Sequence, residues 1–169
     1  ASGILVTCSK AYGSGRPVPE MSEMRGKMAE KLTLAAAEAA VNAIFEAAAR
    51  LKLIMAAAVT DAGGELVCLK RMDGGSALNS RMAFNKAYTA VKWQRDTKAL
   101  KDRMFDMNLG DDRREMAWFG DARFTPVWGG IVLRASDGMV LGGIGESGGT
   151  PAQDEELGQI GARAFIASR

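Results

Sequence analysis

The sequence predicts an α+β domain in which an antiparallel β-sheet is flanked by helices. Segments with strand character occur as neighbouring pairs joined by short turn sequences, which is typical of hairpins. Helical periodicity appears before, between and after these pairs, and no clear βαβ unit is present. With 169 residues, the chain is long enough for one domain with its own core. We assign residues 1–31 to an N-terminal arm and residues 32–169 to this domain.

The chain begins with a segment that shows no sustained periodicity and contains two glycines and two prolines between residues 13 and 19. Such a composition is typical of an arm. From Thr33 onward, apolar residues recur at helical spacing as far as Leu51, and threonine is a common helix cap. The sequence therefore predicts a first helix directly after the arm.

Two strand pairs follow along the chain. The first pair, over residues 53–60 and 65–72, is joined by the turn sequence Asp-Ala-Gly-Gly. The second pair, over residues 124–135 and 139–145, is joined by Ser-Asp-Gly. Because the connections are this short, each pair is predicted to form an antiparallel hairpin.

Four further helices complete the prediction. Three of them are expected over residues 78–95, 97–108 and 111–119. The first of these carries small residues on one face, which lets a helix lie close to a sheet. The last helix begins after Thr150, which forms a capping-box pattern with Gln153 and is followed by proline, and it ends near Ile166.

Composition excludes several classes of chemistry. The chain contains no histidine and two cysteines, which excludes Ser-His-Asp and Cys-His catalysis and makes a zinc cluster improbable. A formal net charge of +2 gives no reason to expect a nucleic-acid or membrane partner. No apolar run is long enough for a membrane span, so we expect a cytoplasmic protein, with a removed export signal left open.

A glycine-rich stretch, Gly142 to Gly149, surrounds the single acid Glu146. The stretch leaves the predicted strand at Gly145 and places Glu146 on a loop, over about Gly145 to Thr150, whose backbone can approach a ligand closely. Read literally, it matches the dinucleotide fingerprint G-x-G-x-x-G. The fold context that this fingerprint needs is missing, because no second parallel strand follows the next helix.

Several blocks of the sequence resemble the GlcG/HbpS family and the related C-terminal domain of PduO-type corrinoid adenosyltransferases. The blocks are residues 57–67, 71–74, 86–90, 129–131 and 142–154. The resemblance covers about residues 32–167. It implies a profilin-like α+β fold, assembly into homo-oligomers, and haem or a corrinoid as a possible ligand in some members. The missing histidine and the acid at position 146 depart from the family pattern, and only Met, Tyr or Cys would remain as haem ligands.

Two residues are the candidates for catalysis. Glu146 would act as a general acid or base, because apolar surroundings raise the pKa of a carboxyl group towards neutrality. Its ordinary alternative is a solvated loop acid or a helix cap. Lys86 lies beside the small-residue face of its helix and would hold a carboxylate or phosphate. Alternatively, its stem covers apolar surface while its amine reaches water.

Seven further positions are candidates for ligand contacts: Arg71, Asp73, Arg123, Thr125, Trp128, Gly145 and Ser147. They stand near the ends of the two hairpins, and we expect them to rim one pocket. The ordinary explanation for the charged members is exposed ion pairing. For the tryptophan it is a place in the core or in an interface.

Three functions follow from these observations. The first is a small-molecule-binding protein of the GlcG/HbpS type, whose ligand is haem, a corrinoid or another planar or carboxylated compound. The alternative is a cofactor-independent lyase or isomerase that acts on a small carbonyl or carboxylate compound through Glu146. The third is a scaffold that assembles through its arm and its methionine-rich faces.

Overall fold

The computed structural model of the protein describes residues 31–106 and 119–169. These ranges contain four helices, α1 (Leu34–Arg50), α2 (Ala77–Trp93), α3 (Thr97–Asp106) and α4 (Pro151–Ala167), and four strands, β1 (Ala56–Asp61), β2 (Leu66–Arg71), β3 (Gly130–Arg134) and β4 (Val140–Ser147). The strands form one antiparallel sheet in the order β2-β1-β4-β3. The predicted α+β class is therefore confirmed. The N-terminal arm up to residue 30 and most of the predicted helix 111–119 lie outside the described residues.

Helix α1 and the C-terminal helix α4 pack together on one face of the sheet. Thr33 caps α1 by accepting the Ala36 N–H at 3.1 Å. Thr150 and Gln153 cap α4 with a complete capping box. Between these helices and the sheet lies the main apolar core, to which Ile44, Ile144 and Phe165 contribute fully buried side chains.

Helix α2 covers the opposite face of the sheet and lies unusually close to β4. A Cβ atom at Gly143 would meet the carbonyl oxygen of Ala87, and one at Gly145 would meet that of Ala83. These two glycines therefore allow the close packing of helix α2. The strand predicted over residues 139–145 continues to Ser147 and lies between β1 and β3, so the prediction that Glu146 and Ser147 belong to a loop is wrong.

The second hairpin is shorter than predicted on its first side. Strand β3 begins at Gly130, whereas the prediction began at residue 124. The backbone before it turns, because the Phe124 N–H donates to the Asp121 carbonyl and Gly129 has a φ of +99°. Since β3 is an edge strand, helix α3 completes its hydrogen bonds: Thr97 accepts the Gly130 N–H. No helix in the described ranges is long and apolar enough to cross a membrane.

Candidate functional site

A buried ion pair joins helix α2 to the first turn of helix α4. The side chain of Lys86 is 1% exposed, and its Nζ donates to Asp154 Oδ2 at 2.5 Å and to the Glu146 carbonyl oxygen at 2.7 Å. The other oxygen of Asp154 accepts the Gly149 N–H at 2.9 Å. Lys86 therefore does not reach water, and its charge is already balanced. This corrects both the snorkelling and the anion-holding interpretations of this residue.

Glu146 lies at the end of β4 with its side chain completely buried. Neither carboxyl oxygen has a hydrogen-bond partner within residues 31–106 and 119–169. Burial raises the pKa of Glu146 well above its usual value, against the opposing effect of Lys86, and Asp154 raises it further. Burial therefore favours the protonated form of Glu146, as the sequence predicted, and it contradicts the alternative interpretation of this residue as a solvated loop acid.

The alternation of side chains along β4 explains where the carboxyl group points. Gly143 and Gly145 face helix α2, so Ile144 and Glu146 face the layer that contains α1 and α4. Space for the carboxyl group comes from a helical glycine, because a Cβ at Gly158 would lie 2.5 Å from Glu146 Oε1. A Cβ atom at Gly129 would lie 2.8 Å from the same oxygen. Two glycines thus accommodate one buried acid.

Further carboxyl groups surround the buried cluster of Lys86, Asp154 and Glu146. Glu155 accepts the Gly129 N–H at 3.2 Å, and Asp96 accepts the Val132 N–H at 2.9 Å. Burial raises the pKa of Glu155, and both acids raise that of Glu146. Within the described residues, no three His, Cys, Asp or Glu side chains are grouped so that they could hold a metal ion.

Three predicted contact residues lie at the same end of the sheet as this cluster. Arg71 and Ser147 both pair with Ala56, from opposite sides, and Asp73 follows the end of β2. Arg71 and Asp73 are exposed, and Ser147 is partly buried. Gly145 offers no ligand contact on its α2 face, because the helix backbone fills the space beside it.

The remaining predicted residues divide into two places. Arg123 forms a two-point ion pair with Asp121 and lies 4.0 Å from the Tyr88 ring centroid. That ring packs at Gly64, in the turn of the first hairpin, which is the end of the sheet opposite Arg71. The structure therefore does not bring all the predicted residues to one rim.

Thr125 and Trp128 belong to the segment that leads from this aromatic region to the buried cluster. Thr125 is buried, and its N–H donates to Thr89 Oγ1 at 3.0 Å. Trp128 is partly buried next to Gly129, with Lys98 Nζ 4.9 Å from its ring centroid. Of these residues, Trp128 is the one that adjoins the cluster.

Sequence reasoning missed the roles of Asp154, Gly129 and Gly158. Asp154 was visible as an acid in the first turn of the last helix, where the helix dipole explains it adequately. Its pairing with Lys86 spans 68 residues, so no local pattern indicates it. The two glycines become informative only when the position of the Glu146 carboxyl group is known.

Comparisons with known proteins agree on a family. A family model described as haem degrading protein HbpS-like matches residues 32–163. The chain is also 27% identical, over 140 residues, to a 15.0 kDa protein of Citrobacter freundii encoded in the dhaT-dhaS intergenic region, covering 79% of this chain and 92% of that protein.

Solved structures show the same fold. A PduOC:haem complex is 25% identical with a TM-score of 0.70, covering 80% of this chain and 95% of that one. A double mutant of Streptomyces reticuli HbpS is 25% identical with a TM-score of 0.69, covering 93% and 97%. Klebsiella pneumoniae ORFY, at 23% identity and a TM-score of 0.75, covers 95% and 100% and shows the fold alone.

Proposed function

The chain belongs to the HbpS-like family, and from that premise we propose that it binds a small carbonyl compound and transfers a proton to it from Glu146. The family contains haem-binding relatives, as the PduOC:haem complex shows. The observation that carries the proposal is the completely buried, unpartnered carboxyl group of Glu146 among the described residues. The reaction class is that of a cofactor-independent isomerase or lyase.

Among the described residues, the structure shows no hydrogen bond through which the buried carboxyl group of Glu146 stabilises the fold. A buried polar group without a hydrogen bond costs about 1–3 kcal/mol in proteins. The carboxyl group also requires glycine at positions 129 and 158, because a Cβ atom at Gly129 or Gly158 would collide with it. An apolar residue at position 146 would avoid both costs, so a functional reason is the better explanation.

A neutral carboxyl group in a dry site is suited to general acid catalysis. By donating its proton to a carbonyl oxygen, Glu146 would make the protons on the neighbouring carbon atom more acidic. Loss of such a proton starts both isomerisation and carbon–carbon bond cleavage. The neighbouring ion pair of Lys86 and Asp154 provides a second proton donor and a proton acceptor.

Access to the cluster is part of the proposal. Asp154 is bonded to the amide of Gly149, in a short segment whose residues Ser147 and Gly148 are partly or fully exposed. We place the entrance at this segment, with Arg71 and Trp128 beside it. Displacement of the Gly149 amide by a ligand would open a path to Lys86 and Glu146.

Deuterium exchange tests this function without a known substrate. The full chain would be incubated in D₂O with pyruvate or dihydroxyacetone, and exchange at the carbon next to the carbonyl would be followed by proton NMR. Glu146→Gln should slow exchange by about 10²–10⁴-fold. Glu156→Gln replaces an exposed acid of helix α4; it is the matched control and should exchange like the wild type. Equal rates for Glu146→Gln and the wild type would exclude the acid role.

Haem or corrinoid binding is the second candidate, and the relatives are the observation in its favour. The described side chains do not fit axial ligation of haem iron by an imidazole, thiolate or phenolate. The chain has no histidine, burial raises the pKa of the Cys68 thiol, and burial with a hydrogen bond to Asp121 raises that of Tyr88. Spectral titration with haemin and with cobalamin tests this candidate, and the absence of any saturable change would exclude it.

A further inference from the structure

We infer that Lys86 is a nucleophile that forms an imine with the carbonyl carbon of the ligand. The inference rests on the proposed function, because it names the way in which that site holds its carbonyl compound. It also replaces the role that the sequence indicated for this lysine, which was to hold an anion.

The geometry supplies the three groups that imine formation needs. A nucleophilic amine must lose a proton, and Asp154 Oδ2 lies 2.5 Å from Lys86 Nζ. The carbonyl oxygen must gain a proton, and the acid Glu146 is close at hand. Lys86 Nζ already contacts the backbone oxygen of this residue at 2.7 Å. Because all three side chains are at least 96% buried, water competes poorly for these protons.

The residue type at position 86 also matters. A guanidinium would suit a purely structural pair with Asp154 better, because it binds a carboxylate with two parallel hydrogen bonds and stays charged. A lysine amine can lose its proton and become a nucleophile. Only one oxygen of Asp154 contacts Lys86, while the other accepts the Gly149 N–H.

The proton and electron balance of the step is complete. Asp154 takes a proton from the Lys86 ammonium, and the freed lone pair on Nζ forms a bond to the carbonyl carbon. The carbonyl π electrons move to oxygen, which takes the Glu146 proton, and the Glu146 carboxylate then takes a proton from nitrogen. Protonated Asp154 returns its proton to the hydroxyl group, which leaves as water while the C=N bond forms. The products are a protonated imine and one water molecule.

Reductive trapping of the wild-type chain provides the main test. The protein would be incubated with pyruvate or dihydroxyacetone and sodium cyanoborohydride, which reduces an imine to a stable secondary amine. Peptide mass mapping then compares Lys86 with the exposed Lys52. We expect Lys86 to be labelled about tenfold faster or more, because Asp154 beside it can take the proton that the ammonium must lose and Glu146 can protonate the carbonyl oxygen. Labelling of Lys86 no faster than that of Lys52, with both ketones, would overturn the inference.

Two variants separate this inference from the proposed function. Lys86→Arg should lose both the adduct and deuterium exchange, and circular dichroism checks that it is folded. If it does not fold, the wild-type peptide map still decides the question. Exchange that persists in folded Lys86→Arg, or in wild type without an adduct, would overturn the imine and leave Glu146 as the acid. Loss of exchange in Glu146→Gln together with slower labelling of Lys86 would support the imine, because Glu146 protonates the carbonyl oxygen in this step.

Discussion

The free energy of unfolding of Glu146→Gln should increase relative to that of the wild type as the pH rises. Glutamine keeps the shape of the side chain but cannot ionise. In the wild type, burial raises the folded pKa of Glu146 well above the value of about 4.3 expected in the unfolded chain. Between these two pKa values, the folded state keeps a proton that the unfolded state loses. The contribution of Glu146 is therefore full below the unfolded pKa and is lost as the pH rises towards the folded one.

The magnitude follows from this linkage. Each pH unit between the two pKa values lowers the wild-type free energy of unfolding by about 1.4 kcal/mol relative to Glu146→Gln. Other titrating groups are shared by both proteins, so they largely cancel in the difference. A constant offset from burying the amide does not change the slope.

Urea unfolding at pH 5, 6, 7 and 8, followed by circular dichroism, measures this difference. Glu156→Gln is the matched control, since this exposed acid on helix α4 should give a flat difference from the wild type. A flat difference for Glu146→Gln across the same range would mean that Glu146 is ionised in the folded protein. That result would refute the neutral-acid assignment.

Three further predictions concern packing, charge and assembly. Gly158→Ala should cost about 1–3 kcal/mol, because its Cβ would press on Glu146 Oε1, and Glu146→Ala in the same chain should recover part of that loss in thermal unfolding. Lys86→Met should cost about 3–5 kcal/mol by leaving Asp154 buried and unpaired, and adding Asp154→Leu should restore most of it in urea unfolding. Sedimentation should give a homo-oligomer, and deletion of residues 1–31 should lower the number of its subunits if the arm contributes to assembly; an unchanged number of subunits would exclude the arm.

The elements that the sequence predicted well are those with local causes. Thr33 and Thr150 cap their helices through hydrogen bonds to residues three positions away, so the signal and its partner lie in one short window. The turn at Ser136-Asp137-Gly138 is similar, because Gly138 adopts the positive φ of 86° that the residue type indicates.

The failures share a different cause. A run of glycines is typical of a turn or loop. Nothing within Gly142 to Gly149 indicates that helix α2 lies against this stretch. Gly143 and Gly145 of β4 are explained by the backbone of residues 83–87, which is far away in the chain. Once the stretch is a strand, side-chain alternation turns Glu146 into the protein interior. The loop position predicted for Glu146 and its alternative interpretation as a solvated acid are thus wrong for the same reason.

The three ionisable residues of the buried cluster differ in how well the fold explains their presence. Asp154 alone or Lys86 alone would be an unpaired buried charge, so the two must be kept together. Glu146 adds a third ionisable group that neither of them satisfies, among the described residues, and Gly129 and Gly158 are shaped around it. A structural ion pair would explain the first two residues but not the third. Because a destabilising group at a site that other residues accommodate is typical of function, Glu146 is the residue that distinguishes an active site from a packing arrangement.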